Sequence, residues 1–292
     1  IPIHGGNGMP LRIFNNLSSA FAQNRLEVNR QNLGDAITKI ASGNRLIGGT
    51  GNATEKATSE LLRSDTRTLR QAAKNLNDGI SLINVVESGL GEQSGILIRL
   101  RELASVAGGP IGETERATLQ LEVNSLIEEF DRLTNATEFN GQKLLDGSLD
   151  GNLAANEHVV INVGLDSSES GQIDLNKVIN LASTASTNIG IDAVSTETFE
   201  SATDSLAIIE AALDTISGYR ASIGATQNRF TRALSTLNVS IENLTAAYSA
   251  IQDTDVAEVL ADLTKQQILV QSSTAMVGQA NLIPEGVLSL LQ

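Results

Sequence analysis

The chain has no cysteine and no tryptophan in 292 residues, and only 3% of it is aromatic. Without thiols it can build neither a thiolate metal site nor a cysteine nucleophile. Without large rings it cannot anchor a thick globular core, so Leu, Ile, Val and Ala must carry the packing, which suits helices lying side by side. Proline is equally scarce. The four prolines, Pro2, Pro10, Pro110 and Pro284, leave 11–109 and 111–283 free of the commonest helix breaker. No apolar run reaches the roughly 18 residues that span a bilayer, and no charged segment followed by an apolar core marks a secretory signal. No membrane span is therefore expected, and if the protein leaves the cell it does so by another route. A net charge of −14 repels nucleic acid and anionic surfaces, so no nucleic-acid partner is expected either.

Histidine is nearly absent too, with only His4 and His158. The run Asn156-Glu157-His158-Val159 lacks the second histidine of an H-E-x-x-H zinc site. Gly48-Gly49-Thr50-Gly51 lacks the Lys-Ser/Thr that follows in a phosphate loop. His158 reads as a packing or surface residue, and the expectation is no catalytic residue, no metal and no cofactor.

What the sequence does contain is heptads. Stepping 3, 4, 3, 4 from Leu206 gives Ile209, Leu213, Ile216, Arg220, Ile223, Gln227, Phe230, Leu234, Leu237, Ile241, Leu244, Tyr248 and Ile251. Only Arg220 and Gln227 interrupt the stripe. So narrow a seam needs a facing helix, and at about 1.5 Å per residue it runs about 70 Å. A partner lies upstream: Leu62, Leu69, Leu76, Ile83, Leu90, Leu97 and Ala104 fall at every seventh position, joined by Ala72, Val86 and Leu100, with Gly79 and Gln93 as weak points. A third, shorter stripe runs through Leu119, Val123, Leu126, Phe130 and Leu133, after a turn at Gly108-Gly109-Pro110. The expected fold is mainly α, an elongated antiparallel helical bundle or coiled coil.

Between 140 and 198 the composition turns to Gly, Asn, Asp, Ser and Thr. Val159, Ile161 and Val163 alternate with His158, Val160 and Asn162, and Ile173-Asp174-Leu175 follows a turn-rich stretch, which predicts a small β-hairpin among loops. At the ends, 17–43 and 255–282 are amphipathic. Leu26, Leu33, Ile37 and Ile40 mark the first, and Leu260, Leu263, Ile268 and Leu269 the second. Asp253-Thr254-Asp255 separates the second from the long seam. Short apolar helices are marginal alone, so both ends read as segments that fold on meeting partners.

These residues resemble the bacterial flagellins. The resemblance starts at Leu11-Arg12-Ile13 and Asn16-Leu17-Ser18-Ser19, continues at Ser42-Gly43-Asn44-Arg45-Leu46, and passes through Glu138-Phe139-Asn140-Gly141-Gln142-Lys143-Leu144-Leu145. It is most specific at the C-terminus, in Leu263-Thr264-Lys265, Gln267-Ile268-Leu269, Gln279-Ala280-Asn281 and Val287-Leu288-Ser289-Leu290-Leu291. Two sites depart from it: Gly51-Asn52-Ala53 replaces the family's Asp-Asp-Ala, and Ser249-Ala250-Ile251-Gln252-Asp253 replaces Ser-Arg-Ile-Arg-Asp.

The resemblance implies a structural subunit that polymerises into the flagellar filament, secreted to an extracellular or periplasmic flagellum. It implies an N-terminal extension at 1–10, an inner filament-core domain from 11–47 and 253–292, and outer core helices at 48–140 and 201–252. A β-hairpin and loop region fills 141–200. It further implies partners: copies of itself in a helical homopolymer, a flagellar export chaperone, and the filament cap and hook-junction proteins. Inner-core packing is expected from Leu26, Leu33, Ile37, Ile40, Leu260, Leu263, Ile268, Leu269, Val287, Leu288 and Leu291. A host Toll-like receptor that senses flagellins would read Arg99, Leu103 and Glu122, unless Leu103 simply packs in the bundle. Two other readings stay open: a hook–filament junction protein of the same superfamily, and, from another class, a metalloenzyme.

Overall fold

The computed structural model describes residues 16–47, 53–165, 168 and 171–290, with side chains described as far as Leu282. Among them α1 is Leu17–Ser42, α2 Ala53–Ala107, α3 Glu113–Ala136, α4 Leu175–Ile179, α5 Ser186–Ile189, α6 Phe199–Gln252 and α7 Val256–Leu290. Two antiparallel strand pairs complete the description: β1 Glu138–Phe139 with β2 Gln142–Lys143, and β3 Val160–Asn162 with β4 Gln172–Asp174. The mainly helical expectation holds. The chain forms two compact units, residues 1–63 with 245–292, and residues 64–244.

Residues 64–244 hold the principal hydrophobic core. The expected seam of α2 is buried almost residue for residue, with Leu76, Ile83, Val86, Leu90, Leu97, Leu100 and Ala104 sealed from solvent. Ile209, Ile216, Ile223 and Phe230 of α6 and Val123 and Phe130 of α3 meet them in one cluster. The polar interruptions of the α6 seam find polar partners on α2. Arg220 pairs with Glu87 at 2.7 Å, and the Gln227 amide donates to Asn84 Oδ1 at 2.9 Å. Because 84 precedes 87 while 227 follows 220, the two helices run antiparallel and these rungs fix their register.

The weak points of the α2 seam are where other elements enter. A Cβ on Gly79 would collide with Ile161 of β3 and stand 3.0 Å from Phe230 Cε2, so the bare backbone admits both side chains. Gln93 is buried and donates to Thr134 Oγ1 and Thr184 Oγ1, each at 2.9 Å. These bonds satisfy Nε2, though not the buried Oε1, and tie the 140–198 segment to α2 and α3.

That segment contains the expected hairpin, with Ile161 opposite Ile173, and more helix than its composition suggested. Leu175, expected in the returning strand, instead opens α4, because the Asp174 carboxylate accepts from the Lys177 N–H and caps a helix there. Asp131 of α3 accepts from the Ser186 N–H and hydroxyl at 2.7 Å, starting α5. These elements are fixed by residues far away in sequence. One boundary moves outward, since α7 continues past 282 to Leu290, while α6 begins at Phe199, two residues before the expected 201.

In the other unit α1 and α7 pack antiparallel. Asn16 caps α1 by accepting from the Ser19 N–H at 3.0 Å while donating to Ala280 O at 2.8 Å. Asn29 donates to Ser273 Oγ at 2.8 Å further along. Gly43, at φ +65°, ends α1 in the left-handed conformation that glycine takes without strain. Arg45 then donates to Ile251 O through both Nε and Nη2 and pairs with Glu55 at 3.1 Å, holding the end of α6 beside the start of α2. Asp255 starts α7 by accepting from the Ala257 and Glu258 N–H groups.

Candidate functional site

The α1–α7 pair buries the wrong side chains for a finished structure. Its buried positions are small or polar, namely Ser19, Ala22, Ala36, Gln266 and Ala280. Many of its large apolar side chains are exposed. Phe21 is 67% exposed, Ile268 58% and Met276 64%, and Leu17, Ile37, Leu260 and Leu282 are at least half exposed. Small residues let the two backbones approach closely, which leaves each helix exposed apolar side chains that the other does not cover. Large contiguous apolar surface on a folded unit marks a protein contact.

The expected inner-core residues divide on this surface. Leu26, Leu33, Ile40 and Leu263 are half-buried, whereas Ile37, Leu260, Ile268 and Leu269 are exposed. Leu291 and the side chains of Val287 and Leu288 lie outside the described residues. Sequence reasoning missed Phe21 and Met276; Phe21 shares a face with Leu17 and Val28, turned away from Leu26, Leu33 and Ile40.

Arg99 and Glu122 come together on the outside of the 64–244 unit. Arg99 Nε and Nη2 donate to one oxygen of Glu122, at 3.0 and 2.7 Å, and Nη1 donates to Glu102 at 3.1 Å. The Glu122 and Glu102 hydrogen bonds raise the guanidinium pKa further above its ordinary value. Leu103 is not on that surface; it is 3% exposed and belongs to the core cluster. The structure thus joins two of the three residues and puts the third beneath them.

His158, with its side chain 5% exposed, is also interior. Nδ1 lies 2.7 Å from Asp174 Oδ2 and Nε2 3.0 Å from Leu153 O. Two acceptors face the two ring nitrogens, and only the imidazolium donates to both. The Asp174 hydrogen bond raises the His158 pKa and outweighs desolvation, aided by the Leu153 carbonyl and opposed by Lys177. Burial pushes Asp174 up, but hydrogen bonds from His158 and the Lys177 backbone bring it net below the ordinary range.

A raised histidine pKa contributes stability that is complete below about 6.5 and is lost as pH rises through the raised value. A depressed carboxylate contributes stability above about 3.9 that is lost as pH falls through the depressed value. The pair therefore stabilises the β3–β4 hairpin most between about pH 4 and 6.5. His158→Gln should lower the melting temperature clearly at pH 5.5 and much less at pH 9. An equal loss at both pH values would contradict the charged pair.

Among the described residues no group of three or more His, Asp or Glu side chains is placed to hold a metal, and no helix is long and apolar enough to cross a membrane.

Comparison with known proteins bears on the same segments. Residues 13–150 match the family model described as the bacterial flagellin N-terminal helical region, and residues 206–291 match the bacterial flagellin C-terminal helical region. The flagellar filament 30.7 kDa core protein of Treponema maltophilum is 35% identical over 288 residues, covering 96% of this chain and 99% of that protein. The flagellin of Bacillus subtilis is 34% identical over 305 residues, covering 97% and 100%. A solved structure of a putative flagellar hook-associated protein from Vibrio parahaemolyticus superposes with a TM-score of 0.56 at 16% identity, over 70% of this chain and all of that one. At that identity the likeness concerns the fold alone.

Proposed function

Since this chain belongs to the bacterial flagellin family, we propose that it is the structural subunit of a flagellar filament, in which neighbouring copies cover the apolar stripes of α1 and α7. The exposed Phe21, Ile268 and Met276 carry this reading. Each Å² of apolar surface removed from water contributes about 25 cal/mol, which offsets the entropy lost when the terminal helices are ordered. Contacts between unlike surfaces repeat without closing, and so build an open helical polymer. The relatives named filament proteins match almost the whole chain at a third identity, which supports the filament over the hook junction. That the family is one of structural proteins supports reading the chain as non-enzymatic.

Within this reading, residues 11–47 and 253–292 form the inner core, where Leu26, Leu33, Ile37, Ile40, Leu260, Leu263, Ile268, Leu269, Val287, Leu288 and Leu291 meet copies of themselves. A flagellar export chaperone masks the C-terminal stripe before export, and the cap and hook-junction proteins meet the two ends of the polymer. The subunit is secreted to a flagellum, extracellular or periplasmic. Purified monomer seeded with sheared fragments should grow long filaments under negative-stain microscopy. Closed rings, or growth indifferent to seeds and concentration, would sink the assignment.

Arg99 and Glu122 also form a surface that a host Toll-like receptor reads, with Leu103 supporting them from the core. Arg99→Ala should reduce the response of a receptor reporter to monomer by about tenfold, the scale of losing one charged contact of about 1.4 kcal/mol. A response unchanged by the substitution removes this part of the proposal.

A further inference from the structure

Charge is unevenly spread over the 64–244 unit. Arg67, Arg70 and Lys74 fall at spacings of three and four on α2 and therefore share one face. All three are exposed, and none makes an ion pair or a side-chain hydrogen bond among the described residues. Asp78, one turn further on that face, does not pair with Lys74 either. Elsewhere on the unit Arg99 is engaged by two glutamates, Arg132 by Glu129 and Arg220 by Glu87, while Arg101, Arg229 and Arg232 are exposed and unpaired among the described residues but do not form a run of three on one face of a single helix. Three neighbouring cations that make no ion pair repel one another, and acids from a second molecule relieve them.

The opposite charge is presented by the first half of α6. From Phe199 to Tyr219 that helix carries Glu200, Asp204, Glu210 and Asp214 and not one basic residue. All four acids are exposed. Glu200 and Asp204 stand one turn apart, as do Arg70 and Lys74, so the spacing matches as well as the sign. The antiparallel rungs at 84–227 and 87–220 set this stretch of α6 beside the second half of α2. Its middle therefore lies about 32 residues beyond Arg70 along α2, or about 50 Å. Within one molecule the two charges cannot meet.

We propose that Arg67, Arg70 and Lys74 form a docking stripe for a second copy of this chain, seated through the acid-only first half of its α6. A copy displaced by about 50 Å along the bundle brings the two into register. The contact is head-to-tail and leaves a free stripe and a free acidic face at the ends, so it repeats indefinitely. The inference rests on the filament reading and adds to it an electrostatic contact separate from the apolar one of α1 and α7.

Charge reversal tests it. Chains carrying Arg67→Glu, Arg70→Glu and Lys74→Glu should show a critical concentration for assembly at least about tenfold above the unaltered protein, because like charges then face each other. Chains carrying Glu200→Lys, Asp204→Lys and Asp214→Lys should show a similar rise. Mixed in equal amounts the two sets restore both complementary contacts, and the mixture should assemble near the normal concentration as an alternating copolymer. A mixture no better than its components overturns the proposal, as does normal assembly by the stripe-reversed chain alone. Thermal melting of each monomer separates these outcomes from misfolding. Should a reversed set fail to fold, the neutral set Arg67→Gln, Arg70→Gln and Lys74→Gln takes its place, with a smaller rise expected and no rise counting against the stripe. Failure of the unaltered chain to polymerise would strike the filament reading itself, and is distinguished by that control.

Discussion

Removing residues 263–292 is expected to abolish polymerisation completely and to leave the 64–244 bundle folded. The deletion takes away most of α7, including the exposed Ile268, Leu269 and Met276, and with it the partner of α1. A single 26-residue helix with so little burial is marginal in water, so α1 should melt as well. The bundle has no such dependence, because its core cluster runs from Leu69 to Leu237 with its flanking side chains ending at Leu244. Circular dichroism should therefore report loss of the terminal helices and a preserved cooperative transition for the remainder. Sedimentation should find no polymer at any concentration, even with seeds. Filaments of normal length from the shortened chain would refute the claim that these stripes hold copies together.

The largest loss of stability from a single side chain is expected at Phe230. Its ring is fully buried in the 64–244 core and reaches the bare backbone of Gly79, where Ile161 of β3 also packs. Phe230→Ala removes the ring where α2, α6 and the hairpin converge, and fixed helix backbones cannot close the gap. A loss of about 3–5 kcal/mol is expected, read from urea unfolding with an unchanged slope. A cycle with Gly79→Ala gives a sharper check. In the unaltered protein the added methyl meets Ile161 and Phe230, while with Ala at 230 the Ile161 side chain has vacated space to shift into. The two substitutions should therefore cost less together than their separate costs summed. A loss below about 1 kcal/mol for Phe230→Ala, outside the range for such truncations, would mean that the three elements do not converge as described.

The helical part of this architecture was legible because it is periodic. A residue every seventh position is a geometric statement about one helix facing another, and Leu76, Leu90, Ile216 and Ile223 are buried as their spacing requires. End signals were legible for the same local reason: Gly43 stops α1, and Asp255 starts α7. The α7 stop was not, since an interior proline costs a helix about 3 kcal/mol and the pattern alone halts before Pro284. The short helices of the middle segment escaped notice because distant polar groups specify them. Asp131 caps α5 from 55 residues away, and Asn176 of α4 accepts from Val159 N while donating to Ser148 and Asp150 carbonyls. No window of sequence contains such a bond. The candidate surfaces divide similarly. Apolar stripes on α1 and α7 follow from spacing, but that these helices would cover their small residues and expose the large ones required the structure. Leu103 shows the converse, since its heptad neighbours Leu97, Leu100 and Ala104 already implied burial, and only the family likeness drew it outward.

The rungs between α2 and α6 have a mechanical corollary. Slide α6 by one heptad either way, and Glu87 would oppose Leu213 or Gln227 in place of Arg220, losing its counter-ion. The apolar seam, repeating every seven residues, would tolerate that step; the charged rung would not. A torque on this bundle therefore meets a latch with a single notch, so the bundle should yield by flexing before its helices shear.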